Sequence, residues 1–143
     1  MMKHASEIEF EFVPFRRMGV FTFGENIRSY YTAGFVFEEC DDKTEWDTYK
    51  NEGKGFELYV ENDLIASIAC RKELYYKGEN VIGMRIDGFL EYYGLVQSVE
   101  TDKIFIPCDN DYQDVYEFDD VGLQVWVKDN VIETVFCSPM IID

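Results

Sequence analysis

Between Glu100 and Asp120 the chain interleaves carboxylates with aromatic rings. Asp102, Asp109, Asp111, Asp114, Glu117 and Asp119 alternate with Phe105, Tyr112, Tyr116 and Phe118, and Lys103 is the one cation among them. Carboxylates pair with Lys and Arg, and rings supply rigid contact area, so this mixture is chemistry for gripping a basic surface. A second acidic stretch, "EECDDKTEWD", clusters Glu38, Glu39, Asp41, Asp42, Glu45 and Asp47 around Trp46. Tyr116 and Phe118 read as the inner face of a strand, whereas Asp109, Asp111, Tyr112 and Asp114 read as a surface loop. The first candidates for a binding surface are therefore Asp109, Asp111, Tyr112, Asp114, Asp119 and Asp120. Glu39, Asp41, Asp42 and Trp46 form a second set in the matching place upstream.

Other chemistries find little support. The one histidine, His4, stands near the start of the chain, so no Ser-His-Asp or Cys-His nucleophile can be built without it. Cys40, Cys70, Cys108 and Cys137 include no Cys-x-x-Cys pair, which removes zinc-ribbon and thioredoxin-like readings. They alternate with apolar residues on expected inner strand faces, where a thiol behaves as a small hydrophobe. A phosphate-cradling glycine loop is absent. "DNDYQDVYEFDD", Asp109 to Asp120, has a calcium-loop flavour, but Asp114 and Asp120 stand where such a loop needs Gly and Glu. Nothing singles out one carboxylate pair for glycoside hydrolysis. No catalytic residue, metal site or cofactor is expected.

Charge narrows the partners. Twenty-nine Asp and Glu against thirteen Lys and Arg give −16 over 143 residues. Residues 81–143 carry about −10 of this, with Arg85, Lys103 and Lys128 as their cations. Such a field repels nucleic acid and anionic membrane surfaces and speeds encounter with basic proteins. The first nineteen residues lack the apolar stretch of a secretory signal, and no run is long enough for a membrane-spanning helix. The expectation is a cytoplasmic protein with reduced cysteines.

The elements that must position these residues are written twice. "GFELYVENDLIASIAC" (Gly55–Cys70) and "GLQVWVKDNVIETVFC" (Gly122–Cys137) share Gly55/Gly122, Val60/Val127, Ile65/Ile132 and Cys70/Cys137. Each alternates apolar and polar with period two and breaks at Asn and Asp, which tolerate positive φ; each predicts a β-hairpin. Upstream, "FGENIRSYYTAG" and "IGMRIDGFLEYYG" each end at a glycine that suits a helix C-cap, with Ile27, Tyr30, Tyr31 and Ile86, Phe89, Leu90, Tyr93 spaced as helical faces. One more strand is expected in each copy, near Trp46–Tyr49 and Val115–Phe118. The predicted fold class is α+β: one domain over 1–143 built as a tandem duplication of an αβββ unit, approximately 19–70 and 81–137. Antiparallel sheet carries two short helices on one side. "EIEFEFVPF" adds a strand and "RKELYYKGEN" links the copies. The halves could join edge to edge or pack face to face.

The doubled unit, with its glycine-to-glycine helix and its hairpin ending "I-x-[ST]-φ-x-C", resembles small bacterial immunity proteins that partner secreted polymorphic or contact-dependent growth-inhibition toxins. Its plan is also similar to that of the β-lactamase-inhibitor protein. The resemblance covers about 19–137 and carries over no functional residue. It implies a non-enzymatic protein that occludes a cognate toxin domain, such as a nuclease with a basic cleft, using no cofactor. The alternatives are a housekeeping domain whose acidity serves solubility and a carboxylate- or metal-dependent enzyme.

Overall fold

The computed structural model describes residues 10–30, 36–38, 47–51 and 53–139. Its centre is an eight-stranded, fully antiparallel sheet built from two four-stranded meanders. The first comprises β4 (Val36–Glu38), β5 (Asp47–Asn51), β6 (Phe56–Glu61) and β7 (Leu64–Cys70). The second comprises β10 (Asp102–Ile106), β11 (Asp111–Phe118), β12 (Leu123–Lys128) and β13 (Val131–Cys137). The strand order β10-β11-β12-β13-β7-β6-β5-β4 joins the meanders edge to edge. That decides between the two arrangements the sequence leaves open.

Both expected hairpins form, and in the same way. Asn62 and Asp63 in one turn, Asp129 and Asn130 in the other, all have φ between 52° and 67°. Two successive positive φ values make the tight turn that matches strand twist. Each hairpin shifts register at the same place, Tyr59/Val60 and Trp126/Val127, and closes on the same pair, Phe56↔Cys70 and Leu123↔Cys137. The segment before each hairpin's return strand is held alike. The Gly24 N–H donates to the Ile65 carbonyl at 2.9 Å, and the Gly83 N–H donates to that of Ile132 at 2.9 Å. Ile27 and Ile86 then donate to the carbonyls of Asp63 and Asn130 at 2.8 and 2.9 Å.

Period two sends Phe56, Leu58, Val60, Leu123, Val125 and Val127 to one face, where all are buried. That face is covered by the small β1–β3 sheet (Phe12–Val13, Arg17–Met18, Phe21–Thr22), a hairpin of β8 (Tyr75–Tyr76) and β9 (Glu79–Asn80), and α1 (Ile86–Tyr93). Rings fasten the layers: Phe21 lies 5.1 Å from Phe56, Phe12 lies 5.5 Å from Tyr76, and Phe89 lies 5.6 Å from Phe118. The segment expected merely to link the copies is thus part of the core, with Leu74 and Tyr76 buried.

The helices depart from expectation. In the second copy α1 covers eight residues, because 83–85 pair with the start of β13 instead; Gly94 closes it at φ 64° with its N–H on the Leu90 carbonyl at 2.9 Å. In the first copy the described residues hold one 3-10 turn, Ile27–Tyr30, where a helix was expected. The Asn26 side chain accepts from the Arg28 N–H at 2.9 Å, which tightens the chain locally, and the Tyr30 hydroxyl reaches back to Glu25 at 2.6 Å. Among the described residues the second of the two expected helices is therefore not seen, and 31–34 of that segment lie outside them. Of the added N-terminal strand the described residues hold Phe12–Val13, and Phe10 and Phe12 are buried as the alternation requires. No helix among the described residues is long and apolar enough to cross a membrane.

Candidate functional site

The face of the sheet opposite α1 carries the candidate site. Among the described residues no helix lies on it. Outward positions are those between the buried ones: Glu117 on β11, Gln124 and Trp126 on β12, Phe136 on β13, Tyr59 on β6. The Trp126 and Phe136 rings lie 5.9 Å apart, and Phe136 stacks on Tyr59 at 6.0 Å, so an aromatic ridge crosses four strands, β12 to β6, passing over β7, where Ala69 and Ser67 are buried. The Trp126 Nε1–H donates to Gln124 Oε1 at 2.7 Å, and the Gln124 amide donates to the Glu117 carboxylate. That relay holds the indole and orients Glu117.

Beside the ridge runs a groove in two parts. One, of about 680 Å³, is lined by Phe15, Glu117, Asp119, Gln124 and Phe136 among others. The second, of about 510 Å³, shares Glu117, Asp119 and Gln124 and adds Glu100, Asp102 and Ile104. Ser98 fixes the junction. Its N–H donates to the Glu117 carbonyl at 2.8 Å, and its Oγ accepts from the Asp119 N–H at 2.6 Å. Four carboxylates thus share one open groove, and among the described residues no Lys or Arg lines either part. The cations of this half are engaged elsewhere. Among the described residues Arg85 pairs with Asp87 at 3.4 Å, Lys103 with Asp114 at 3.0 Å and Lys128 with Asp109 at 3.9 Å.

The acids named from sequence do not gather in one loop. Asp111, Tyr112 and Asp114 lie on β11, whose partner β10 is a strand the sequence reading did not place. A strand sends neighbours to opposite faces. Asp111 therefore faces outward with Gln113 and Glu117, while Tyr112 and Asp114 face the side of α1, beside Phe105 and Lys103. Asp109 stands in the turn before β11, and Asp119 and Asp120 in the turn after it, about 25 Å away by strand rise. Of the first set, only Asp119 lines the groove. Glu39, Asp41, Asp42 and Trp46 lie outside the described residues. Glu100, Glu117, Trp126 and Phe136 were not among the chosen residues. Trp126 had a legible signal, since it alternates with three buried residues and so must point outward.

Cysteine chemistry is weak here. Cys70 and Cys137 are buried on the inner face, and desolvation pushes both thiols well up. Cys108 departs from expectation: it is exposed in the β10–β11 turn, because β10 takes the strand position and leaves Pro107–Asn110 to turn. Cys40 lies outside the described residues. Among the described residues no group of three or more His, Cys, Asp or Glu is arranged to hold a metal ion. Comparison with protein-family models, curated proteins and solved structures gives no match, so function rests on the chemistry of the groove itself.

Proposed function

We propose that this chain is a non-catalytic binding protein that neutralises a basic protein domain, the part an immunity protein plays toward its cognate toxin in the cytoplasm. One observation carries the reading: Glu100, Asp102, Glu117 and Asp119 line one groove beside the Trp126–Phe136–Tyr59 ridge, while the nearby cations pair with other acids. Clustered carboxylates offer a basic cleft what phosphates offer it, and rings fixed by packing exclude water around the charge pairs. A nuclease domain is the kind of partner that presents such a cleft. The matching hairpins, turns and bulges of the two halves support descent from one duplicated unit of four strands rather than the three of an αβββ unit, with the α-helix and the acidic groove described in the second half.

The test is growth. The C-terminal domain encoded immediately upstream of this chain is expressed in a bacterium alone and together with it. Arrest that the chain relieves, with a one-to-one complex on gel filtration, is the expected result. Arrest without relief, or no arrest, overturns the reading in favour of a domain whose acidity serves solubility.

A further inference from the structure

β11 outruns its inner neighbour. Its pairing with β12 begins at Asp114↔Val127, whereas its pairing with β10 continues through Gln113, Tyr112 and Asp111. The last three residue pairs and the Pro107–Asn110 turn therefore form a two-stranded ribbon, projecting roughly 10 Å past the third strand. Phe105 and Tyr112 sit opposite one another on this ribbon, ring centroids 5.2 Å apart and edge to face. They are 45% and 54% exposed, on a chain whose core keeps most other rings covered. At the root of the same face the Lys103–Asp114 pair ties the ribbon's two strands to one another, and Lys128 on β12 reaches Asp109 in its turn at 3.9 Å. Of the acids at this end of the sheet, Asp109 and Asp114 pair with Lys128 and Lys103, which leaves Asp111, Asp129 and Glu133 without an ion pair among the described residues.

We infer that the β10–β11 ribbon is an anchor that enters the partner. Phe105 and Tyr112 seat in an apolar pocket of that protein, and the aspartates around them meet a Lys- and Arg-rich rim. The inference rests on the binding reading above and deepens it. Ile104, on the opposite face of the same ribbon, lines the acidic groove, so a partner held in the groove reaches the ribbon as well. Two exposed rings on a narrow support have no part in the core. They gain their packing only when a partner desolvates them, which is the setting in which aromatic residues dominate binding energy.

The test uses the full chain and the upstream-encoded domain as probe, with affinity measured by calorimetry. Thr keeps strand propensity and removes the ring. Phe105→Thr with Tyr112→Thr is expected to weaken the complex about 100-fold or more with an unchanged thermal midpoint. A second arm places p-benzoylphenylalanine at Phe105 and irradiates the complex; a cross-link to the partner is expected, and this arm does not depend on the double variant folding. Equal affinity for the double variant, or no cross-link from position 105 in a formed complex, overturns the anchor and leaves the groove reading standing. A cross-link between two copies of this chain also overturns it. If the wild-type chain forms no complex at all, the functional reading falls and the anchor falls with it.

Discussion

Ala69 of β7 and Phe136 of β13 occupy equivalent places in the two halves of the sheet, and they lie directly opposite one another at its centre. Cys70↔Val135 and Ile68↔Cys137 flank them symmetrically, so the junction relates the halves by a local twofold. The one departure is size. Phe136 lays its ring over the place where its counterpart has only a methyl, and the ridge with Tyr59 and Trp126 follows from that asymmetry.

The junction holds the halves through buried side chains. Ile68 is fully buried there. Ile68→Ala is expected to cost about 3 kcal/mol, from lost burial and the cavity left behind. Urea unfolding followed by fluorescence and circular dichroism checks it, and the two signals are expected to move together.

Gly55 and Gly122 are counterparts at φ 72° and 69°, yet their surroundings differ. A Cβ on Gly55 would meet the flexible stem of Lys72, whereas one on Gly122 would lie 2.5 Å from the Ser138 carbonyl oxygen and 3.0 Å from Phe15. Gly55→Ala is expected to cost about 1–2 kcal/mol for its backbone conformation. Gly122→Ala is expected to cost about 3 kcal/mol or more, since backbone must shift too. Gly88, inside α1 with open space around it, is the contrasting case: Gly88→Ala is expected to stabilise by about 0.5–1 kcal/mol. Thermal midpoints of the three variants give the order.

Tyr93 links stability to pH. Its hydroxyl donates to the Tyr76 carbonyl at 2.7 Å, and burial is the main cause that pushes its pKa up from 10.0 to about 12. The folded state keeps the proton that the unfolded state gives up, so this contribution is complete below pH 10 and is lost as pH rises toward 12. Tyr93→Phe is expected to cost about 1 kcal/mol at neutral pH through the lost hydrogen bond and to flatten the decline in stability above pH 10. Unfolding titrations across that range measure both effects.

Thiol labelling reads the inner face. With Cys40→Ser in the background, Cys108 is expected to react promptly with a disulfide reagent at pH 8, in about the time a free thiol takes. Cys70 and Cys137 are expected to react only as the protein unfolds, because burial keeps both thiols protonated. Peptide mapping of the labelled protein separates the three.

Charge at the groove is expected to act on encounter. Asp119→Asn combined with Glu117→Gln is expected to lower the association rate for a basic partner and to shrink its dependence on salt. Asp114→Asn is expected to change the rate less, since Lys103 already faces that carboxylate at 3.0 Å. Stopped-flow binding at two ionic strengths makes the comparison.

The sequence by itself determined what neighbours along the chain decide. Period two at 56–61 and 123–128 set inner and outer faces. Asn62-Asp63 and Asp129-Asn130 set the turns, and Gly94 set the end of α1. These are properties of local backbone sterics and of which side of a strand can be buried. Only the tertiary structure decided what depends on distant partners. The edge of β7 met the edge of β13 because both left hydrogen-bonding groups to be satisfied. β10 found β11, and once Asp111 to Asp114 joined the expected strand at Val115–Phe118 instead of forming a loop, Tyr112 and Asp114 were sent to the face opposite Asp111. The acidic groove has the same origin: Asp102 comes to Glu117 and Asp119 through the β10–β11 pairing, and Ser98 docking on the end of β11 brings Glu100 beside them, contacts that no local pattern encodes.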